Sequence, residues 1–284
     1  IAFVPHLRLD QRDRDRSHFY VRELTFLKAS TGWEFRAGIR KVFWGVTEFQ
    51  HLIDIINQTD LVENPDAEDK LGQPMVNLAL IRDWGTVDFF VLPWFRERNF
   101  PGREGRLRTQ PVVADDLSRF ESGAEERHVD FALRYSHVIG DFDIGLSHFY
   151  GTSRTPRLIP GMDSGRPVLI PFYDIIQQTS LDLQASTGNM LWKLEALHRS
   201  GQGHTYNALA GGFEYTFVGI LESAIDLGVL GEYHYDDRGE GAPTVFEDDI
   251  AAGLRLAFND AQSTALLTGV MLDRNTGGKF FNLE

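Results

Sequence analysis

The fold is decided by residues 208–235, which read ALAGGFEYTFVGILESAIDLGVLGEYHY. On the first arm, every second residue from Leu209 to Phe217 is apolar, aromatic or glycine, and the same holds on the second arm from Ile225 to Tyr235. Successive side chains of a strand point to opposite faces, so this period indicates a hairpin with one apolar face. The other face carries acids, glycine, alanine and histidine, as a wet lumen would. Each arm has the length of a tilted membrane-spanning strand, about ten residues, and the stretch therefore predicts a strand pair of a transmembrane β-barrel.

Composition narrows the classes of protein that remain. The 284 residues include no cysteine and 12% aromatic residues, and no apolar run is long enough for a transmembrane helix of about 20 residues. A barrel needs no such run, because its signal is spread over alternating strands. The formal net charge of −13 argues against a nucleic-acid partner, which requires a basic face.

Strand-like segments and their connections give the architecture. Fourteen segments are predicted, at residues 1–10, 18–29, 33–45, 74–82, 86–95, 128–139, 141–151, 171–186, 189–199, 205–218, 223–235, 246–258, 263–272 and 278–284. From residue 30 onward, short turns alternate with longer connections at 46–73, 96–127, 152–170, 200–204, 236–245 and 273–277. Outer-membrane barrels have short periplasmic turns and long external loops, so this alternation predicts an all-β, antiparallel up-and-down transmembrane barrel of 14 or more strands. A soluble β-sandwich whose aromatic residues fill its core remains the alternative.

The chain is expected to form one barrel domain over residues 1–284. It ends at Asn282-Leu283-Glu284 without the terminal aromatic residue common in such barrels, so a barrel that is incomplete at one or both ends stays open. A barrel of this strand number encloses an aqueous channel rather than a packed core.

A second segment carries a family resemblance. Residues 22–24 read REL, residues 33–45 read WEFRAGIRKVFWG, and the following loop holds Asp54, Asn57 and Asp60. This order resembles a pattern of large Gram-negative outer-membrane porins, in which a W-G pair precedes a long loop with N-x-x-D. The remainder of the chain is similar to them only in strand-and-turn style. The resemblance implies a channel or uptake porin of the bacterial outer membrane and says little about its substrate.

The loop at residues 46–73 carries the acidic half of a predicted pore constriction. Its candidate residues are Glu48, Asp54 and Asp60, and further acids follow at Glu63, Asp66, Glu68 and Asp69. One long loop of a large porin commonly folds inward, and we expect this loop to do so and to present acids to the pore. The alternative is a solvated external loop with calcium or nothing bound, and no EF-hand ladder is present.

The loop at residues 96–127 carries the basic half, at Arg96, Arg98, Arg103, Arg106 and Arg108. Charge clusters set ion preference in pores, so arginines that face the acids of 46–73 would create a transverse field. In the alternative, these arginines pair with neighbouring acids of their own loop or with lipopolysaccharide phosphates.

Charged residues on the inward faces of the strands form the candidate lumen wall. They are Arg134, Asp143, Asp182, Lys193, Glu195, Asp226, Glu232 and Arg255. Such charges would be costly in a dry sandwich core but cost little in a water-filled lumen. Their mixed signs predict a wetted channel with modest selectivity, and the alternative is solvated side chains with no individual role.

Motifs of catalysis and metal binding are not found in the sequence. There is no H-x-x-x-H, H-E-x-x-H, G-x-S-x-G or Walker A pattern, and the one local cluster of acid and histidine near an expected outer rim is His234 with Asp236 and Asp237. The sequence therefore predicts no catalytic residue, no metal, no cofactor and no enzymatic activity.

These features together favour a porin through which small polar or charged solutes diffuse passively. A membrane-barrel hydrolase and a soluble all-β binding or structural protein are the alternatives. The expected partners are outer-membrane lipid, lipopolysaccharide and the solutes themselves, with no nucleic acid; a homo-oligomer is left open.

Overall fold

A computed structural model describes residues 1–63 and 68–283. In these residues, fourteen strands form one sheet, and each strand pairs antiparallel with the strand of the same sheet that follows it in sequence. The strands of this sheet are β1 (Ala2–Arg8), β2 (His18–Ser30), β3 (Trp33–Arg40), β4 (Gln73–Arg82), β5 (Gly85–Leu92), β7 (Asp130–Ile139), β8 (Phe142–Thr152), β11 (Ile175–Thr187), β12 (Met190–Ser200), β13 (Tyr206–Phe217), β14 (Asp226–Asp236), β15 (Asp248–Ala257), β16 (Ala265–Asp273) and β17 (Lys279–Leu283). These are the fourteen predicted segments, and the all-β up-and-down barrel fold is confirmed.

A second, three-stranded sheet lies outside this series. It consists of β6 (Arg119–Phe120), β9 (Arg157–Asp163) and β10 (Arg166–Tyr173), with β10 in the middle. Short 3-10 helices occur at Arg14–Arg16, Asp115–Leu117, Glu125–Arg127, Ile220–Glu222 and Gly239–Gly241. None of the helices in the described part of the chain is long and apolar enough to cross a membrane.

The β9–β10 hairpin corrects the prediction that residues 152–170 form a loop. Four prolines in and near it, which strands seldom contain away from sheet edges, hid the strand signal. The two strands are joined by Ser164 and Gly165, both with positive φ, as in a two-residue hairpin turn. The predicted segment 171–186 also divides, since β10 ends at Tyr173 and the barrel strand β11 begins at Ile175.

The two faces of the sheet differ as the opening hairpin predicts. On β13 and β14, Phe213 and Tyr235 are 37% and 41% exposed, whereas Ala210, Glu232 and His234 on the opposite face are at most 4% exposed. The outward band is exposed and apolar across the sheet, and its members include Val76, Leu78, Phe89, Val91, Phe131, Leu133, Leu146, Leu181, Trp192, Leu209, Ile250, Leu254, Leu266, Val270 and Leu272. Such a continuous apolar exterior is the surface that a transmembrane barrel presents to lipid.

The largest apolar core lies on the inner side of the sheet. The chain between β3 and β4 turns inward, and residues 42–63 of it are called the inward loop. Its Ile53, Ile55 and Ile56 are at most 3% exposed. They belong to one cluster with Met75 of β4, Phe90 and Leu92 of β5, Ala132 of β7, Phe149 of β8 and Ile176 of β11. The loop therefore folds inward, as expected, and on this side it fills the predicted aqueous channel with aliphatic side chains.

Candidate functional site

Glu195 of β12 holds the start of the inward loop. Its Oε1 accepts hydrogen bonds from the backbone N–H of Val46 (2.6 Å) and Thr47 (2.9 Å) and from the Thr47 hydroxyl (2.8 Å), while Oε2 accepts from the N–H of Ile53 (3.0 Å). The carboxylate is fully buried. A buried charge must be compensated, and four donors compensate this one. Glu195 was predicted as lumen wall, and it is instead the anchor that places the loop.

A second carboxylate, Glu232 of β14, holds the next turn of the loop. Its two oxygens accept from the N–H of Glu48 (2.7 Å) and of Phe49 (3.1 Å). The Phe49 ring then lies on the wall at Gly253 of β15 and Gly269 of β16, which are paired across the ladder. A Cβ at Gly269 would come within 2.6 Å of this ring, so the close approach depends on glycine. The loop thus crosses the lumen from β3 to β16.

At this edge of the loop, four charged side chains alternate in sign. Glu48 forms ion pairs with Lys193 Nζ at 3.1 Å and with Arg255 Nη2 at 2.6 Å. Arg255 Nε forms a second ion pair with Glu214 at 3.2 Å. The side chains are 8–28% exposed, so water reaches them inside the barrel. Burial acts to raise the pKa of Glu48, but Lys193 and Arg255 outweigh it and hold that pKa below its ordinary value. Glu48, Lys193, Glu214 and Arg255 are called the charge cluster.

Sequence analysis named three members of the charge cluster and missed Glu214. The signal was available, because Glu214 stands on the polar face of the opening hairpin. Its position opposite Arg255 requires β13 and β15 to flank β14, which the antiparallel register provides.

The other predicted acids of the inward loop lie elsewhere. Asp54 is fully buried and pairs with Lys70 at 3.1 Å; burial raises its pKa against the opposing effect of Lys70. Asp60 accepts from the Tyr20 hydroxyl at 3.0 Å, on the side of the barrel formed by β2. Their partners are thus different from Lys193 and Arg255, which pair with Glu48. Asp66 lies outside the described residues.

The arginines of residues 96–127 do not form the predicted row opposite the acids. Arg96 stacks over the Tyr20 ring at 4.4 Å, near Asp60, and is the one that approaches a loop acid. Arg103 is exposed and pairs with Asp163 of the β9–β10 hairpin.

Arg106 and Arg108 complete the predicted set. Arg106 is exposed, and Arg108 donates to the Gly105 carbonyl. Within the described residues, no ion pair joins Arg98, Arg103, Arg106 or Arg108 to Glu48, Asp54 or Asp60. The prediction of an arginine row facing these acids is wrong, because the cations opposite Glu48 come from the strand wall.

The remaining lumen-wall residues differ in role. Arg134 of β7 makes a two-pronged ion pair with Asp182 of β11, at 2.7 and 2.8 Å, and stacks on Trp44. Asp143 is exposed near the short-turn end of β8. Asp226 accepts from the Gly219 N–H and the Asn259 amide, so it ties two short turns together rather than lining the lumen.

A cavity of about 1400 Å³ opens among the long connections. Its lining includes Arg98, Arg157, His204, Asp237 and apolar residues such as Leu107. Burial lowers the pKa of Arg98 to about 10, and among the described residues its guanidinium donates to neutral groups, which include Gln58 Oε1 at 3.1 Å and the Arg154 carbonyl at 2.8 Å.

His234, Asp236 and Asp237, which are close in sequence, do not form one group in the structure. His234 is fully buried and lies 3.5 Å from a Glu232 oxygen, whereas Asp236 pairs with Arg238 and Asp237 accepts from Asn207. Because the imidazole has no exposed surface, it cannot meet a substrate in this arrangement.

Comparisons with known proteins give similarity in structure alone. No family model and no curated protein sequence matches the chain. Two solved structures of OmpT, an outer membrane protein of Vibrio cholerae, are similar. The loop L8 deletion mutant aligns with a TM-score of 0.53 at 10% identity over 94% of this chain and 79% of that one. The in-vitro folded protein aligns with a TM-score of 0.50 at 9% identity over 92% and 75%.

This match confirms that the chain has the fold of bacterial outer-membrane β-barrels, and that fold supports the predicted outer-membrane location. The resemblance to porins is supported only at this coarser level. The prediction that the protein is not an enzyme needs correction. The shared fold is compatible with a barrel hydrolase as well as with a channel, so that prediction is not kept.

Proposed function

We propose that the protein is an outer-membrane channel for small polar or charged solutes, with its narrowest section between the inward loop and the wall of β12–β15. The observation that carries this proposal is the charge cluster: four alternating charges, all partly exposed to water, inside an apolar-faced barrel. Charges at a narrow section act on passing ions through a short, poorly screened distance. Passage of a solute is limited by its size, relative to the width of the narrow section, and by the electric field of the charge cluster.

The proposal is supported by the way in which the inward loop is fixed to the barrel wall. It is held on one side by the Ile53, Ile55 and Ile56 cluster and on the other by Glu195 and Glu232. A loop fixed at both sides keeps a defined opening, as a size filter requires. Glu48 then projects from a rigid support rather than from a mobile segment.

Single cysteines give a direct test, because the chain has none of its own. Glu48→Cys and, as a control, the lipid-facing Leu146→Cys are inserted into planar bilayers and treated with a bulky thiol reagent. Stepwise conductance is expected from both, and the reagent should reduce it by half or more in the first variant only. An absence of conductance steps, or equal effects at both positions, would refute the proposal.

A membrane-barrel hydrolase is the second candidate, favoured by the outer cavity with His204 and Asp237 in its lining. An imidazole and a carboxylate in one cavity can supply a general base and acid. The test is hydrolysis of peptide and ester panels by the full chain in detergent. Activity lost in His204→Ala and Asp237→Asn but kept in His148→Ala would establish this candidate, and no turnover of any panel member would remove it.

A further inference from the structure

We infer that His6, His18 and Glu63 form a binding site for a divalent transition-metal ion, with zinc as the best match. The three residues come from β1, from β2 and from the end of the inward loop. One ligand atom from each lies within 4.8 Å of the others. This is the one such group of three that the described residues contain.

The strand register brings the two imidazoles together. In the β1–β2 ladder, His6 is opposite Tyr20 and Arg8 is opposite His18, so the histidines are diagonal neighbours on the inward face. Their ring centroids are 5.7 Å apart. Both rings also contact Tyr20, which limits their rotation and keeps them on the same side.

The polar atoms of the group point to a ligand. The Nε2 atom of His18 is buried and has no hydrogen-bond partner among the described residues. Buried polar atoms are nearly always partnered, so an unpartnered ring nitrogen beside a second imidazole and a carboxylate indicates a bound species. His6 Nε2 already lies 3.3 Å from Glu63 Oε2, close to the separation of two ligands on one metal.

The ligand set selects the class of ion. Two imidazoles and one carboxylate are ligands of Zn²⁺ in proteins, and they also suit Ni²⁺ and Cu²⁺, whereas Ca²⁺ and Mg²⁺ take oxygen ligands. Three protein ligands leave a position for water. Such an ion would fasten the end of the inward loop to the β1–β2 hairpin.

Two arginines compete with the ion for Glu63. Arg8 Nη1 lies 2.9 Å from Glu63 Oε2, and Arg22 Nη2 lies 3.7 Å from Oε1. The Arg8 side chain is 26% exposed and has room to move aside. Competition of this kind predicts that removing the Arg8 charge strengthens metal binding.

Calorimetric titration of the full chain in detergent with Zn²⁺ at neutral pH tests the inference. One site is expected in the wild type, weakened at least about ten-fold in His6→Ala and in His18→Ala, since even outer-shell changes weaken metal sites ten-fold or more. His128→Ala is the matched control, because His128 pairs with Asp130 and does not belong to the group, so this change should leave the titration unchanged.

The variants also separate binding from folding. Arg8→Gln keeps the histidines and should bind Zn²⁺ more tightly than the wild type. Visible absorption of bound Co²⁺ gives a second readout of metal binding, and heat-modifiable migration in gels reports on folding of the barrel. A misfolded variant would lose both, whereas a folded variant without the site would lose only the Co²⁺ absorption. No binding by the wild type, or equal binding by His18→Ala, would overturn the inference.

Discussion

The inward loop meets the barrel wall in two contrasting ways. On one side, Ile53, Ile55 and Ile56 pack against apolar side chains of β4, β5, β7, β8 and β11. On the other, its backbone N–H groups bind the carboxylates of Glu195 and Glu232. The first contact is non-directional and apolar, whereas the second fixes individual loop atoms through two buried carboxylates. The barrel thus uses dispersion and hydrophobic burial to fill one side of its lumen and hydrogen bonds to shape the other.

The largest expected effect is on the hydrogen-bonded side. Glu195→Ala leaves the four donors of Val46, Thr47 and Ile53 without their acceptor, and each donor that stays buried and unsatisfied costs about 1–3 kcal/mol. Urea unfolding in lipid or detergent should show this loss, and conductance should rise as the loop leaves the wall. Glu195→Gln keeps one acceptor oxygen, so its free energy of unfolding should lie between those of Glu195→Ala and the wild type. Equal stability of all three proteins would mean that the carboxylate does not hold the loop.

On the dry side, Ile56→Ala should cost about 3 kcal/mol, because it removes fully buried methylene groups and leaves a cavity. Its matched control is Ile250→Ala on the lipid face, where the side chain is 48% exposed. The same unfolding experiment measures both. If the control loses as much as Ile56→Ala, the loop does not pack against this side of the lumen as described.

The charge cluster makes a prediction about selectivity rather than stability. Glu48→Gln removes a negative charge and Lys193→Gln a positive one from the same site, so the two should shift the permeability ratio of K⁺ to Cl⁻ in opposite directions, each on the order of two-fold. Reversal potentials in a salt gradient measure this. Shifts of the same sign would show that ions do not pass beside the cluster.

The smallest effect is the dependence of the cluster on pH. Lys193 and Arg255, against the effect of burial, hold the pKa of Glu48 below its ordinary 4.5 in the folded protein. Its contribution to stability is therefore present above pH 4.5 and is lost as the pH falls through the lower folded pKa. The ion pairs of Glu48 contribute about 1 kcal/mol or less to the free energy of unfolding at neutral pH. The difference in melting temperature between wild type and Glu48→Gln should therefore be small, and it should shrink on acidification. A difference that is constant from pH 7 to pH 3 would contradict this assignment.

The fold was largely predictable from the sequence, because alternation and turn length are local signals. All fourteen barrel strands were found, and the opening hairpin has its exposed apolar side chains, such as Phe213 and Tyr235, on one face and its buried Ala210, Glu232 and His234 on the other, as predicted. The β9–β10 hairpin was not, because its prolines suppress the strand pattern. The site was predicted only in part, since residues 46 and 195 meet across 149 positions of chain and nothing in either segment names the other. The prediction of the cations near Glu48 was wrong for the same reason. Lys193 and Arg255 pair with it, in place of the predicted Arg96, Arg98, Arg103, Arg106 and Arg108.

The long sequence separation of these contacts also bears on how the protein assembles. The acceptors for the inward loop are on β12 and β14, so the loop cannot settle until more than half of the chain after it has been laid into the sheet. Until then its isoleucines have only the early strands as cover, and its first amides must remain hydrated. The inward loop would consequently be one of the last parts to reach its final position. In a barrel whose assembly stopped before β12, the lumen would not yet be filled by this loop.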